Sequence, residues 1–396
     1  MGLNLMQKKV EEEYMPVHVL QFFSTLNNGG AENRMMDVYR CIDPEVVKFD
    51  FAVVHEGEHF FDKEIFANGS EKYVFPDPRK GLIKNYKAMV KGFRENEFSA
   101  IHTHVAWYCG VVLMAAKKAG IPVRIAHARN AASPDRKWKE KILCNLGKLL
   151  IKMSATQKIA ISEAAAEHIF GKDAVKNQQC MVIPNAIDQK KYYVLNEQEK
   201  IVFKQKLGIP IDKKVYVTVA NFRAPKNHKF LLDIANALKD KNDNFVLYLI
   251  GDGELREEIE EKIIRLGLSD NVILLGSRKD VPEILSVFDA MIFPSLYEGL
   301  GGVVLEAQLA GVPAIVSDAI PKIADVGIDM VEFVSLKDSP AKWADTVIKA
   351  VENNHWEKEV ALEAFKRCGY CIEDATRTYL KEYGIPDDII DKAMKK

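Results

Sequence analysis

KVYVTVANFRAPKNHKFLLDIANALKDKNDNFVLYLIG, residues 214–251, decides the fold of this chain. Its opening KVYVTVAN (214–221) is β-branched and apolar and gives way to a polar loop, while its closing FVLYLIG (245–251) is a second short apolar run. Between them FLLDIANAL places apolar residues at helical spacing. A short strand, an amphipathic helix and another short strand make a βαβ unit, and repeated βαβ units build a parallel sheet.

The same alternation continues on both sides. Downstream come NVILLG (271–276), AMIFPS (290–295) and PAIVSDA (313–319). Upstream a separate series runs VHVLQFF (17–23), FDFAVV (49–54), AIHTH (100–104), VRIAHA (123–128), KIAIS (158–162) and MVIPN (181–185). The polar stretch IDQKKYYVLNEQEKIVFKQKLGIPIDKK (187–214), with its Gly-Ile-Pro-Ile stop, parts the two series and reads as the linker. The chain is therefore expected to be α/β, with two Rossmann-like parallel-sheet domains facing a central cleft. Its expected divisions are an N-terminal extension at 1–15, a first domain at 16–195, a second at 196–365, and a helical segment at 366–396 that packs back on the first domain. In open parallel sheets ligands bind outside the carboxyl ends of the strands, so the loops that follow the strands carry the chemistry.

The bulk numbers agree with this reading. A length of 396 residues is about twice that of a single domain. Apolar residues at 48% and charged residues at 28% are ordinary for a globular chain, and a net charge of -1 gives no general attraction to nucleic acid. Cys41, Cys109, Cys144, Cys180, Cys368 and Cys371 are scattered rather than spaced as a disulfide framework, which fits a cytoplasmic protein. Cys368 and Cys371 form a CxxC without a second pair, so a structural role is expected there rather than zinc. No apolar run approaches 18 residues, and MGLNLMQKKVEEEY has neither a signal-peptide pattern nor the serine or threonine at position 6 that myristoylation requires.

Three loops stand out. In STLNNGGAENRMMDVYR a strand gives way to a glycine turn and then a helix, so Gly29 and Gly30 could bring free helix amides against a phosphate; a tight turn without ligand is the alternative. In AIHTHVAWYCG, His102 and His104 share a face at a strand end; no HExxH or Cys/His cluster accompanies them, so metal binding is not expected. In VANFRAPKNH, Arg223 and Lys226 follow a strand ending at Asn221, where cations would cradle a diphosphate and stabilise the charge that grows on it. Gly251 in IGDGE and Arg278 in GSRKDVPEIL also follow strands and could meet a ligand through the backbone.

SLYEGLGGVVLEA (295–307) places Glu298 in a loop at a strand's carboxyl end and Glu306 about a turn into the next helix. An acid and nucleophile pair usually comes from separate strands on opposite sides of a sugar bond. Two carboxylates across one glycine-rich turn more naturally accept hydrogen bonds from vicinal hydroxyls.

These residues resemble the retaining GT-B glycosyltransferases of glycosyltransferase family 4, whose signature is an EGxxxxxxE frame. LNNGGAE, IHTHVAWYCG, IPNAID, VANFRAPKNH, IGDGE, LGSRKDVPEIL, FPSLYEGLGGVVLEAQLAG and VPAIVSDAIP match that pattern in order and cover nearly the whole chain. The resemblance implies that Glu306 holds the ribose of a nucleoside-diphosphate sugar, UDP-linked, while Glu298 and the amides of Gly299, Leu300 and Gly301 hold the transferred sugar. It implies that Gly30 approaches the diphosphate, that Lys226 neutralises it, that His104 stands beside the sugar, and that Arg278 lies where backbone reads the base. The sequence departs from the family at Ala220 and Asn221, where Gly-Arg is usual, so Arg223 is expected to supply the missing cation; Ala186 replaces a usual glycine. The implied activity is a retaining, metal-independent hexosyl transfer, without any cofactor, to a glycan or lipid-linked acceptor in cell-surface or exopolysaccharide synthesis.

The acceptor side is expected at RIAHARN (124–130) and PDRK, with His127 and Arg129 as candidates. The stretch 137–153 carries five lysines against one glutamate and apolar residues at helical spacing. Two readings stay open: a helix lying on an anionic membrane at the inner face of the cell, or a helix packed on its own sheet with a solvated lysine face. Competing functions are a nucleotide-sugar epimerase of the same architecture, which leaves the EGxxxxxxE frame unexplained, and a non-catalytic nucleotide-sugar-binding protein. A phosphorylase would need a pyridoxal phosphate lysine setting that the sequence does not present.

Overall fold

A computed structural model describes residues 16–129, 138–192 and 194–394. The N-terminal extension at 1–15 and PDRK (134–137) lie outside them. The chain divides into two compact units, one made of Met1–Ile187 together with Gly369–Lys396, the other of Asp188–Cys368. The second unit thus begins within the stretch read as linker.

The first unit holds strands β1 (Val17–Phe22), β2 (Val47–Val53), β3 (Lys72–Val74), β4 (Ala100–Thr103), β5 (Val123–Ala128), β6 (Gln157–Ala160) and β7 (Met181–Val182). They form one parallel sheet in the order β3-β2-β1-β4-β5-β6-β7. Successive strand residues point to opposite faces. Val19, Phe49, Phe51, Ala100, Ile125 and Ile159 therefore enter one core layer, and Leu20, Phe22, Ala52, Ile101, Ala126 and Ala160 enter the other. Ile372, Tyr379, Leu380, Tyr383 and Ile390 from the C-terminal helices complete the first of these layers.

The second unit holds β8 (Lys214–Val219), β9 (Phe245–Ile250), β10 (Val272–Gly276), β11 (Ala290–Phe293), β12 (Ala314–Ser317) and β13 (Val331–Val334), parallel, in the order β10-β9-β8-β11-β12-β13. β9 is buried along its whole length, as expected of a strand covered on both faces. The sequence reading lacked β3 and β13. Both are short edge strands in which charged or exposed residues break the apolar run.

In each sheet the strand order reverses once, between β1 and β4 and between β8 and β11. Such reversals splay the following loops apart and open a crevice at the carboxyl ends. The loops singled out from the sequence after β1, β4, β8 and β11 flank those two points.

One helix contact fixes a surface. The helices Cys109–Ala119 and Trp138–Ser154 cross through Gly110 and Gly147. A Cβ on Gly147 would lie 2.3 Å from the Trp107 carbonyl oxygen, and one on Gly110 would lie 2.5 Å from the Gly147 carbonyl oxygen. This close approach buries Cys144, Gly147, Ile151 and Ser154. It turns Ile142, Leu143, Leu146, Leu149 and Met153 outward, each at least 40% exposed. The helix thus packs against its own unit through the glycine seam, and the face it leaves to solvent carries these apolar residues together with Lys152.

Candidate functional site

In the second unit the loops after β8 and β11 are tied together. Leu296 donates its backbone N–H to the Pro225 carbonyl at 2.8 Å, and the Asn227 side chain donates to the Pro294 carbonyl at 3.1 Å. These bonds bring Lys226 and Glu298 into contact. Lys226 Nζ stands 2.5 Å from Glu298 Oε1, which also accepts from Ser295 Oγ at 2.8 Å, and the ammonium lies 5.3 Å from the centre of the Phe293 ring. The Ser295 carbonyl accepts from Ser317 Oγ, so the carboxylate is braced from behind. Lys226 and Glu298, assigned separate roles from the sequence, are thus one ion pair at the switch point.

Around this pair the other candidates divide. Asn221 and Arg223 are exposed, and Arg223 has no side-chain partner among the described residues, so it is an open cation beside a paired one. Gly301 caps the helix Gly302–Leu309 at φ 81, a left-handed conformation that favours glycine. Space is open beside Gly299 and Gly302, so a ligand can approach their backbone. Leu300 is buried, and Glu306 stands half-buried in the second turn of that helix. Gly251 is a glycine for another reason: its φ is 145, and a Cβ there would lie 2.0 Å from the Ala220 carbonyl oxygen. Arg278 forks onto Asp280 at 2.5 and 2.8 Å, so its guanidinium is engaged locally. His228, two residues after Lys226, is pushed down to about 4 by burial and then by the Lys226 charge.

In the first unit the ends of β1, β4 and β5 converge on a buried polar cluster. His102, His104 and His127 place ring nitrogens within 4.8 Å of one another. Arg129 donates Nε to His104 Nδ1 at 3.2 Å and Nη1 to Asn185 Oδ1 at 2.9 Å. His104 also bonds Gln21 Oε1 at 3.1 Å and stacks on Phe23 at 4.3 Å. Both of its ring nitrogens are therefore engaged. His102 bonds the Tyr383 hydroxyl at 2.8 Å and His127 Nδ1 at 2.9 Å. Burial holds all three imidazoles well below their ordinary pKa, and the charge of Arg129 adds to it. Three histidines at this spacing could ligate a cation in principle. A buried guanidinium donating to one of them, and hydrogen bonds among the rest, make the donor set a poor fit for one.

The glycine turn after β1 adds a residue that sequence reading passed over. The helix Gly30–Arg40 starts at its expected place, and the space beside Gly30 is open. The Glu32 carboxylate folds back over the turn, so that a Cβ on Gly29 would lie 2.3 Å from Glu32 Oε2. Burial raises its pKa, against its own backbone N–H and Arg129, which lower it. Gln21 was also passed over, although a glutamine inside the apolar run VHVLQFF was the available signal. Tyr383 had none, since only the fold brings it to β1 and β4.

Comparison with known proteins bears on the family and the fold. Residues 199–367 match the family described as Glycosyl transferases group 1, and residues 28–191 match Glycosyltransferase Family 4. The chain is 33% identical to EpsF of Bacillus subtilis (strain 168), which is named as a glycosyltransferase, over 93% of this chain and 96% of that protein. It is 28% identical to the UDP-Gal:alpha-D-GlcNAc-diphosphoundecaprenol alpha-1,3-galactosyltransferase of Escherichia coli, over 60% of this chain and 63% of that protein. Among solved structures, HepE of Anabaena in complex with UDP and glucose superposes with a TM-score of 0.76 at 19% identity, over 93% of this chain and 99% of that one. With two parallel-sheet units of this topology and matches that span both, the chain belongs to the group 1 glycosyltransferases of family 4 and has the GT-B fold.

Proposed function

We propose that this enzyme transfers a hexose from a UDP-sugar to a lipid-linked glycan acceptor in polysaccharide synthesis, with retention and without a metal ion. The observation that carries the reading is the Lys226–Glu298 pair at the second sheet's switch point, with Arg223 open beside it and the glycine backbone of 299–302 adjacent. A diphosphate leaving group needs cations, and Lys226 and Arg223 supply two. Glu298 is held by an ammonium and a hydroxyl, a setting that suits a carboxylate gripping sugar hydroxyls rather than one attacking the anomeric carbon. The leaving diphosphate would then take the acceptor proton on the same face of the sugar, and the protein's contribution would be placement and charge stabilisation. The UDP donor is supported by the UDP-galactose named for the Escherichia coli relative and by the UDP bound in HepE. The lipid-linked acceptor is supported by the diphosphoundecaprenol in the same relative's name.

The acceptor would be met at the membrane surface by the helix Trp138–Ser154. Its outward apolar stripe from Ile142 to Met153 lies beside Lys148 and Lys152, a pattern suited to the interface of an anionic bilayer. No helix among the described residues is long and apolar enough to cross a membrane.

The test is transfer from a panel of UDP-sugars to a diphosphoundecaprenol-linked sugar in the presence of EDTA, with the anomeric configuration of the product read by NMR. Retained configuration and undiminished turnover are expected. Inversion would overturn the retaining mechanism, and loss of activity restored by a divalent cation would overturn metal independence.

A further inference from the structure

The protons of the cluster at the ends of β1, β4 and β5 can be placed one after another, starting from Arg129. A guanidinium only donates, so His104 Nδ1 is the acceptor of Arg129 Nε at 3.2 Å. His104 is neutral, because burial and its cationic surroundings oppose protonation. Its single ring proton is therefore on Nε2 and is donated to Gln21 Oε1 at 3.1 Å. That orients the amide, and Gln21 Nε2 donates to the Tyr383 oxygen at 3.0 Å. The Tyr383 hydroxyl proton then goes to His102 Nδ1 at 2.8 Å. His102 in turn carries its proton on Nε2 and donates it to His127 Nδ1 at 2.9 Å. The last proton falls on His127 Nε2, which has no partner among the described residues.

Donation thus runs one way, from Arg129 through His104, Gln21, Tyr383 and His102 to His127. Tyr383 is the one member from outside the strand ends, 362 positions from Gln21, just past the helix Ile372–Glu382. Reversing the bond at Tyr383 would leave its hydroxyl proton without an acceptor and would move the His102 and His127 protons to Nδ1.

We propose that Tyr383 is a positioning residue for sugar transfer: by accepting from Gln21 and donating to His102 it sets the tautomers of the histidines, keeping His104 oriented between Gln21 and Arg129 and leaving His127 a free N–H. The inference rests on reading this cluster as part of the transfer site. Hydrogen bonds in a chain of one direction polarise and strengthen one another in a buried setting, so the loss of one link is felt at the far end.

The experiment uses the full-length protein labelled with 15N. Imidazole spectra of the wild type are expected to show His102, His104 and His127 all protonated on Nε2 alone. Tyr383→Phe keeps the ring that packs edge-on against Phe49 at 5.8 Å and removes only the hydroxyl. It is expected to shift the His102 and His127 nitrogen signals and to lower kcat about ten-fold at unchanged donor KM. Gln21→Met, which cuts the chain on the other side of Tyr383, should lower kcat by a similar factor. The double variant should be no slower than the slower single one, because both cut the same chain. An Nδ1-protonated histidine in the wild type, a wild-type kcat in Tyr383→Phe, or losses that multiply in the double variant would each overturn the proposal. If the wild type transferred no sugar, the transfer reading would fail, and with it the positioning role, while the spectra would still decide the proton order.

Discussion

Lowering the pH from about 7.5 to about 5.5 should destabilise the first unit by an amount set largely by three residues. His102, His104 and His127 are 0%, 8% and 1% exposed, and burial, with the charge of Arg129, keeps each neutral far below its ordinary range. In the unfolded chain each titrates near 6.5. Below that pH the unfolded state binds protons that the folded state refuses, so stability falls as the pH falls. By pH 5.5 the loss is roughly 1.4 kcal/mol per histidine and on the order of 4 kcal/mol for the three, and above about pH 7.5 it vanishes. Set against a net stability of about 5–15 kcal/mol for a typical domain, this is a large fraction. His228, pushed down to about 4 by burial and then by Lys226, adds a loss of the same sign in the second unit. Urea unfolding followed by circular dichroism between pH 7.5 and 5.5 should show the midpoint moving down, and NMR of the folded protein should show the three imidazoles failing to titrate. Imidazole resonances of these residues that titrate with midpoints near 6.5 in the folded state would refute the reasoning, whatever the urea midpoint does.

Other changes have equally definite outcomes. Glu306→Ala should weaken UDP binding by calorimetry at least ten-fold, the worth of a charge-assisted hydrogen bond to a ribose hydroxyl; equal affinities would remove the ribose assignment. Gly147→Ala, which in an ordinary helix would add about 1 kcal/mol of stability, should instead cost roughly 1–3 kcal/mol, since the new methyl meets the Trp107 carbonyl; a raised melting temperature would contradict the glycine seam. Charge reversal at Lys148 and Lys152 should reduce flotation with anionic vesicles and leave UDP affinity untouched, and unchanged flotation would remove the membrane contact.

The architecture was open to reading because most strands are compact apolar runs separated by helices, as in FVLYLIG. The edge strands β3 and β13 were not, since a three-residue KYV has too few positions to show a period and charge interrupts VEFV. The candidate loops were legible for the same reason as the fold: they follow strands, and their glycines and charges interrupt apolar runs. What one dimension hides is pairing. Lys226 and Glu298 are 72 positions apart, and nothing in either loop says that the two ends face each other. The same holds for Gln21, Tyr383 and the histidines. Gly251 shows the converse limit, since a glycine needed to pass a carbonyl looks in sequence like a glycine needed to admit a ligand.

The return of Gly369–Lys396 to the first unit has a consequence for how the chain folds. Val19, Phe49 and Ile125 lie on the face of the first sheet whose apolar layer is completed by Ile372, Tyr379 and Ile390, and these covering residues are made only after all of Asp188–Cys368 has been made. The second unit is continuous in sequence and can close as soon as it is complete. The first, although synthesised earlier, must hold an incompletely covered apolar face through that interval, and such a face invites aggregation. The first unit is therefore completed only by residues made after the second, and loss of the covering helices from Ile372 to Ala393 should yield insoluble protein rather than a soluble enzyme.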